Sequence, residues 1–213
     1  MQASGRRRPS WARSLLRSGP RFLVCLCLLL AAPGDGKAQT RPRESEVVAR
    51  FEADLLAVMR SAETTDFAER YRRLQPEIER AFDLPVMTRI VVGSAWTALD
   101  DLQRQRLIDA FRHFVIATYA RRFDGYAGEQ FSLDAQQPAP GGILVKTRLI
   151  QVGEAPIELD YLTHDGDQGP HIIDVFLAGT VSELATRRSE FSSVLRQTGY
   201  DGLIAALRQK ANG

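Results

Sequence analysis

The chain offers few groups able to make or break a bond. Its three histidines are His113, His164 and His171. His164 and His171 flank a turn that also carries Asp165 and Asp167, and these four side chains could gather around a cation. Their spacing matches no zinc or EF-hand pattern. Asp165-Gly166-Asp167-Gln168-Gly169 also supplies what a hairpin turn uses: positive φ and side-chain turn bonds. His113 falls off the apolar stripe of a long helix and reads as a surface residue. Asp160 and Asp174 lie on strands expected to be neighbours. Paired carboxylates do acid–base work when burial raises one pKa, which would suit an isomerase or dehydratase. Asp160, however, shares its face with Lys146, Arg148 and Glu158, and that face reads as solvent-exposed with cross-strand ion pairs. Asp174 interrupts an apolar strand, where its simpler role is to bond backbone or an arginine at the sheet edge. Ser182 and Ser189 lack a nucleophile elbow, and no Gly-rich phosphate loop is present. Arginine pairs at 72–73, 121–122 and 187–188 are solvated helix faces, or contacts for a lipid phosphate or a partner.

The elements that must position these groups fall into two halves. Val47, Phe51, Leu55 and Val58 recur at helical spacing after a polar leader over 39–46. Thr64-Thr65-Asp66 offers an N-cap to a second helix with the stripe Phe67, Tyr71, Leu74, Ile78 and Phe82, which Pro76 is expected to kink or split. Asp83 can cap a short helix that ends near Gly93-Ser94. Asp100 or Asp101 can cap the longest one, about 100–123, with Leu107, Ile108, Phe111, Phe114, Val115, Thr118, Tyr119 and Phe123 as a wide apolar face. The period then changes to two. Phe131, Leu133 and Ala135; Ile143, Val145, Thr147 and Leu149; and Ile157, Leu159, Tyr161 and Thr163 alternate with more polar residues. Ile172–Leu177 is a fourth strand, and short connections imply an antiparallel meander. Helices at about 181–197 and 200–211 close the chain. The expected class is α+β: helices packed on one face of an antiparallel sheet of about four strands. Whether the space between them is a filled core or a hollow one is left open by the sequence.

Composition narrows the function. The chain has 213 residues, 44% hydrophobic and 25% charged, with a formal charge of +2. Residues 1–38 hold seven basic residues and one acid, so 39–213 carries 21 basic and 25 acidic residues, a net of −4. Nucleic acid is therefore not an expected partner. Phe22–Ala32 is an apolar run too short to span a bilayer but suited to a signal-peptide core. Gly36-Lys37-Ala38 places small residues for cleavage before Gln39. Residues 1–38 thus read as a signal peptide and 39–213 as one domain. Cys25 and Cys27 are the chain's only cysteines, and both fall in the signal region. The mature chain then has no disulfide, cysteine nucleophile or thiolate metal site, a composition compatible with export to a bacterial periplasm. No metal or cofactor is expected.

Several segments together carry a resemblance. Phe82-Asp83-Leu84-Pro85-Val86-Met87-Thr88-Arg89-Ile90-Val91-Val92-Gly93-Ser94-Ala95-Trp96 resembles the signature helix and Gly-x-x-Trp of the MlaC family, the toluene-tolerance auxiliary proteins. The long helix from Gln105 to Phe123, the corner Asp174–Ser182 and the segment Gly199-Tyr200-Asp201-Gly202-Leu203-Ile204 are similar to that family in the same order. Ser182–Phe191 looks more like the subgroup associated with hopanoid biosynthesis. Pro170-His171 stands where general members often have a tryptophan, and Ala185-Thr186-Arg187 where they often have Asn-Tyr-Arg. The resemblance implies that the sheet is curved, with an apolar pocket between it and the helices, and that the protein is a periplasmic lipid carrier, its ligand a hopanoid or phospholipid. It also implies an inner-membrane transporter of ABC or RND type at one end and an outer-membrane complex at the other.

A carrier needs no catalytic residue. The expected pocket walls are Val145, Thr147, Leu149, Leu159, Tyr161 and Phe176 from the strands, with Val92, Trp96, Phe111, Val115 and Tyr119 from the helices. The alternatives are a small-molecule isomerase or dehydratase of a cupped α+β fold, and an adaptor that docks on a transporter without binding a ligand.

Overall fold

The computed structural model describes residues 43–213. The expected signal peptide, with Cys25, Cys27 and the cleavage site, lies outside the described residues. Helix α1 (Arg43–Ser61) starts inside the segment expected to be a polar leader. Acidic Glu44 and Glu46 in its first turn suit a helix N-terminus, which explains the earlier start. Asp66 caps α2 (Phe67–Ala81) by accepting from the Glu69 amide at 2.8 Å. Pro76 does not split this helix. It is exposed, so the backbone bond it removes leaves a carbonyl to water, while Leu74 and Ile78 anchor the helix on either side.

Asp83 caps α3 (Leu84–Val92), which ends at Gly93 with φ 68. A 3₁₀ turn, Gly93–Ala98, leads into α4 (Asp101–Arg122). Asp100 and Gln103 form a reciprocal capping box there, worth about 1 kcal/mol. The strands are β1 (Gln130–Ala139), β2 (Gly142–Ile150), β3 (Ile157–Gly166), β4 (Gly169–Leu177) and the two-residue β5 (Val181–Ser182). They form one antiparallel sheet in sequence order. Helix α5 (Glu183–Asn212) merges the two expected C-terminal helices across Gly199, whose φ of 70 makes the kink.

Alternation sets the faces. Val145 pairs with Tyr161 and Tyr161 with Val175; Thr147 pairs with Leu159 and Leu159 with Leu177. Val145, Thr147, Leu149, Leu159 and Tyr161 are all buried. Leu133 and Ala135, expected on the same face, are exposed: Leu133 keeps that face opposite Thr147 but lies on the edge strand, and the pairing shift after it puts Ala135 opposite Lys146, out of phase. On the opposite face the expected solvent exposure of Asp160 does not hold. Asp160 is only 2% exposed, flanked by its register partners Lys146 and Phe176. Burial raises its pKa, with Lys146 opposing.

A further acid is buried on α1. Glu52 follows Val48 by one helical turn on α1 and is 5% exposed. Its Oε1 has no hydrogen-bond partner among the described residues. Burial raises its pKa from 4.5 to about 7, and the Thr147 hydroxyl takes back part of the shift. The folded state therefore holds Glu52 as the neutral acid more readily than the unfolded chain does. That contribution is fully present below pH 4.5 and is lost as pH rises through about 7. The difference approaches about 3 kcal/mol at pH 8. Glu52→Gln is expected to raise stability at pH 8 by about that amount and to change it little at pH 4, as read by denaturant unfolding at the two pH values.

Candidate functional site

A cavity of about 450 Å³ opens between α4, the inner face of β3 and β4, and the start of α5. This is within the usual range of ligand pockets. Its apolar lining includes Phe82, Met87, Phe111, Phe114, Val115, Leu159, Val175, Leu177 and Leu184. The α4 residues Phe111, Phe114, Val115, Thr118 and Tyr119 share one stripe at three- and four-residue spacing, so one helix face supplies one wall. Phe114 meets Phe191 of α5 edge-on, with ring centroids 5.7 Å apart.

Charge is gathered among Arg121, Arg122, Glu183 and Arg187. Glu183 sits between two guanidinium groups, 3.5 Å from Arg122 and 3.4 Å from Arg187. Arg187 also reaches Glu190 at 3.1 Å and lies over the Phe114 ring. Arg121 donates to the Ala211 and Lys210 carbonyls, which closes the C-terminal turn of α5. The guanidinium groups outnumber the carboxylates Glu183 and Asp174 among these lining side chains.

Asp174 holds the corner that makes this site. Its carboxylate accepts from the Val175 amide at 2.8 Å, the Ser182 hydroxyl at 2.5 Å and the Leu184 amide at 3.0 Å. Burial raises its pKa and these bonds oppose the rise. It ties β4 to the first turn of α5, the backbone role expected for it. Asp160 and Asp174 do not face one another in register: Asp160 pairs with Phe176 and Asp174 with Leu162.

Of the expected wall residues, Phe111, Val115, Tyr119, Leu159 and Tyr161 line the cavity. The other six lie away from its lining. Val92, Val145, Thr147 and Leu149 are filled core, each 4% exposed or less. Trp96 packs at the edge of the core under the Arg104 guanidinium. Phe176 alternates with Val175 and Leu177, which line the cavity, so it points to the opposite side. Phe82, Met87, Phe114, Phe123 and Leu184 were not among the expected walls. Phe114 was legible on the α4 stripe. Leu184 was not, because only the Asp174 corner brings the start of α5 over the sheet.

The histidines are engaged elsewhere. His164 Nε2 lies 2.8 Å from Asp83 Oδ2, His171 Nδ1 lies 2.8 Å from the Gly169 carbonyl, and His113 Nδ1 lies 2.5 Å from the Tyr71 hydroxyl. Among the described residues no group of three or more His, Cys, Asp or Glu could hold a metal ion. No helix among them is long and apolar enough to cross a membrane.

The chain thus has an α+β fold in which a helix layer covers one face of an antiparallel meander over a cavity of mainly apolar lining, with arginines at part of it. The chain belongs to the MlaC protein family, whose model matches residues 50–209. It is similar in structure to a phospholipid-binding protein from Ralstonia solanacearum, solved in complex with a phospholipid. The TM-score is 0.69 at 20% identity, over 79% of this chain and 96% of that one.

The lining makes a geometric prediction. Val115→Trp fills open space and is expected to shift Tm by less than about 2 °C. Val145→Trp enters filled core, costs about 1–3 kcal/mol or more, and is expected to lower Tm by about 5 °C or more. Thermal unfolding of the two variants checks this.

Proposed function

We propose that the protein is a periplasmic lipid carrier that encloses the apolar part of one membrane lipid and ferries it across water between membranes. The observation that carries this reading is the apolar cavity of about 450 Å³ with Arg122, Glu183 and Arg187 in its lining. A lipid crossing water alone exposes its chains at about 0.8 kcal/mol per methylene, roughly 25 kcal/mol for about 30 of them. Leu, Val, Met and Phe side chains offer an environment about as apolar as the bilayer. The transfer can then be close to thermoneutral while its barrier falls. No bond changes, so no catalytic group is needed.

Within this reading residues 1–38 are the export signal. The carrier is the soluble part of a transport system, meeting an inner-membrane transporter of ABC or RND type and an outer-membrane complex. Phe111, Val115, Tyr119, Leu159 and Tyr161 contact the lipid. The ligand is a phospholipid or a hopanoid. Membership of the MlaC family and likeness to a protein solved with a phospholipid support the first. The subgroup-like wording of Ser182–Phe191 supports the second.

Transfer of a fluorescent phospholipid from donor to acceptor vesicles tests the function. The protein is expected to accelerate transfer at least about tenfold, and Val115→Trp to abolish most of that gain while remaining folded. Transfer no faster than the spontaneous rate, with hopanoid as with phospholipid, would remove the carrier reading and leave an adaptor.

A further inference from the structure

The cavity is not uniformly apolar inside. Tyr119 of α4 and Tyr161 of β3 both line it, and Tyr161 is only 2% exposed. Neither phenol hydroxyl has a hydrogen bond to another described residue, and neither is sealed in the core as a buried orphan: both reach the cavity that their rings line. Their rings are fixed rather than free to turn outward. Phe51 packs edge-on against both, with centroids 5.4 Å from Tyr119 and 6.3 Å from Tyr161, and Tyr119 stacks on Phe123 at 5.6 Å.

The two phenols also stand in an order. Tyr119 precedes Arg122 by one turn of α4 and is half-buried, whereas Tyr161 is 2% exposed and shares the Phe51 ring with Tyr119. The arginine cluster, Tyr119 and Tyr161 therefore follow one another inward. Burial raises both phenol pKa values, so both groups keep their protons and act as donors at neutral pH.

We propose that Tyr119 and Tyr161 are specificity-determining residues that donate hydrogen bonds to the ester carbonyl oxygens of a diacyl lipid, so that the protein selects ester-linked acyl lipids over apolar ligands that lack a carbonyl. This rests on the carrier reading and adds to it. The order of groups matches such a lipid from head to tail. An anionic phosphodiester faces Arg122 and Arg187, the ester carbonyls come next at the phenols, and the chains lie against Met87, Phe111 and Phe114. A ligand without acceptors at that depth leaves two buried donors unpaired, a penalty a filled hydrocarbon pocket would not impose.

The test uses the purified protein stripped of lipid. It is mixed with equal amounts of diacyl phosphatidylglycerol and its dialkyl ether analogue of the same chain length, and the bound ratio is read by native mass spectrometry. The wild type is expected to favour the diester about tenfold, a range set by two hydrogen bonds of ordinary net strength. Tyr119→Phe and Tyr161→Phe, which keep the ring and the packing, are each expected to cut that preference about threefold, and the double variant to erase it. The infrared ester carbonyl band of the bound diester is expected at lower wavenumber in the wild type than in the double variant, a signature that packing alone would not move. Equal binding of ester and ether by the wild type, or an unchanged preference in the double variant, overturns this inference with the carrier intact. Binding of neither lipid by the wild type overturns both.

Discussion

Phe51 is the contact on which the hollow interior depends. One ring on α1 touches Phe82 at 4.9 Å, Tyr119 at 5.4 Å and Tyr161 at 6.3 Å, all edge-on, so it joins α1, the C-cap of α2, α4 and the sheet. Edge-to-face pairs of this kind add about 0.5–1.5 kcal/mol each beyond the area they bury. Helix α4 carries a wide apolar face, and without a spacer that face would close directly onto β3 and β4. A ring of fixed size between them sets how near α4 can come. On the other side Asp174 fixes the start of α5 against β4 through two hydrogen bonds, from Ser182 and Leu184. Between these two anchors the sheet and helices cannot collapse, and the cavity persists at the cost of unmade packing contacts.

That cost explains an asymmetry in the molecule. Close packing is spent where no ligand is needed: Val145, Leu149, Leu107 and Ile116 are fully buried with no space beside them in the cavity lining. Lining residues face a void, and unfilled apolar volume destabilises by about 24 cal/mol per Å³. An apolar occupant restores those contacts. A carrier built this way is stabilised by its cargo, and the cargo must be released to something that binds it comparably, a membrane or a membrane complex.

The fold was largely legible because its signals are local. Asp66, Asp83 and Asp100 announce their helices by capping, and the change of period near residue 130 announces the sheet. The site was legible only where one element's periodicity was enough, as for Phe111, Val115 and Tyr119 on α4 and Leu159 and Tyr161 on β3. Alternation identifies a face but does not say whether that face meets a filled core or a void, which is why Val145, Thr147 and Leu149 were expected at walls they do not form. Phe176 was misplaced by one residue of phase on a strand that is apolar on both sides. Glu52 carried no warning beyond lying one turn after Val48. The arginine pairs at 121–122 and 187–188 were visible, but only the Asp174 corner brings Arg122 and Arg187 to one Glu183.

The central claim is that the cavity holds one lipid. Its most direct test is to purify the protein without detergent from cells that express the full chain, extract it with organic solvent, and identify and count lipids by mass spectrometry. The account predicts close to one lipid per chain, with a phosphorylated head group and ester-linked chains. A chain free of lipid, whose melting temperature is also unmoved by added phospholipid or hopanoid, would contradict it.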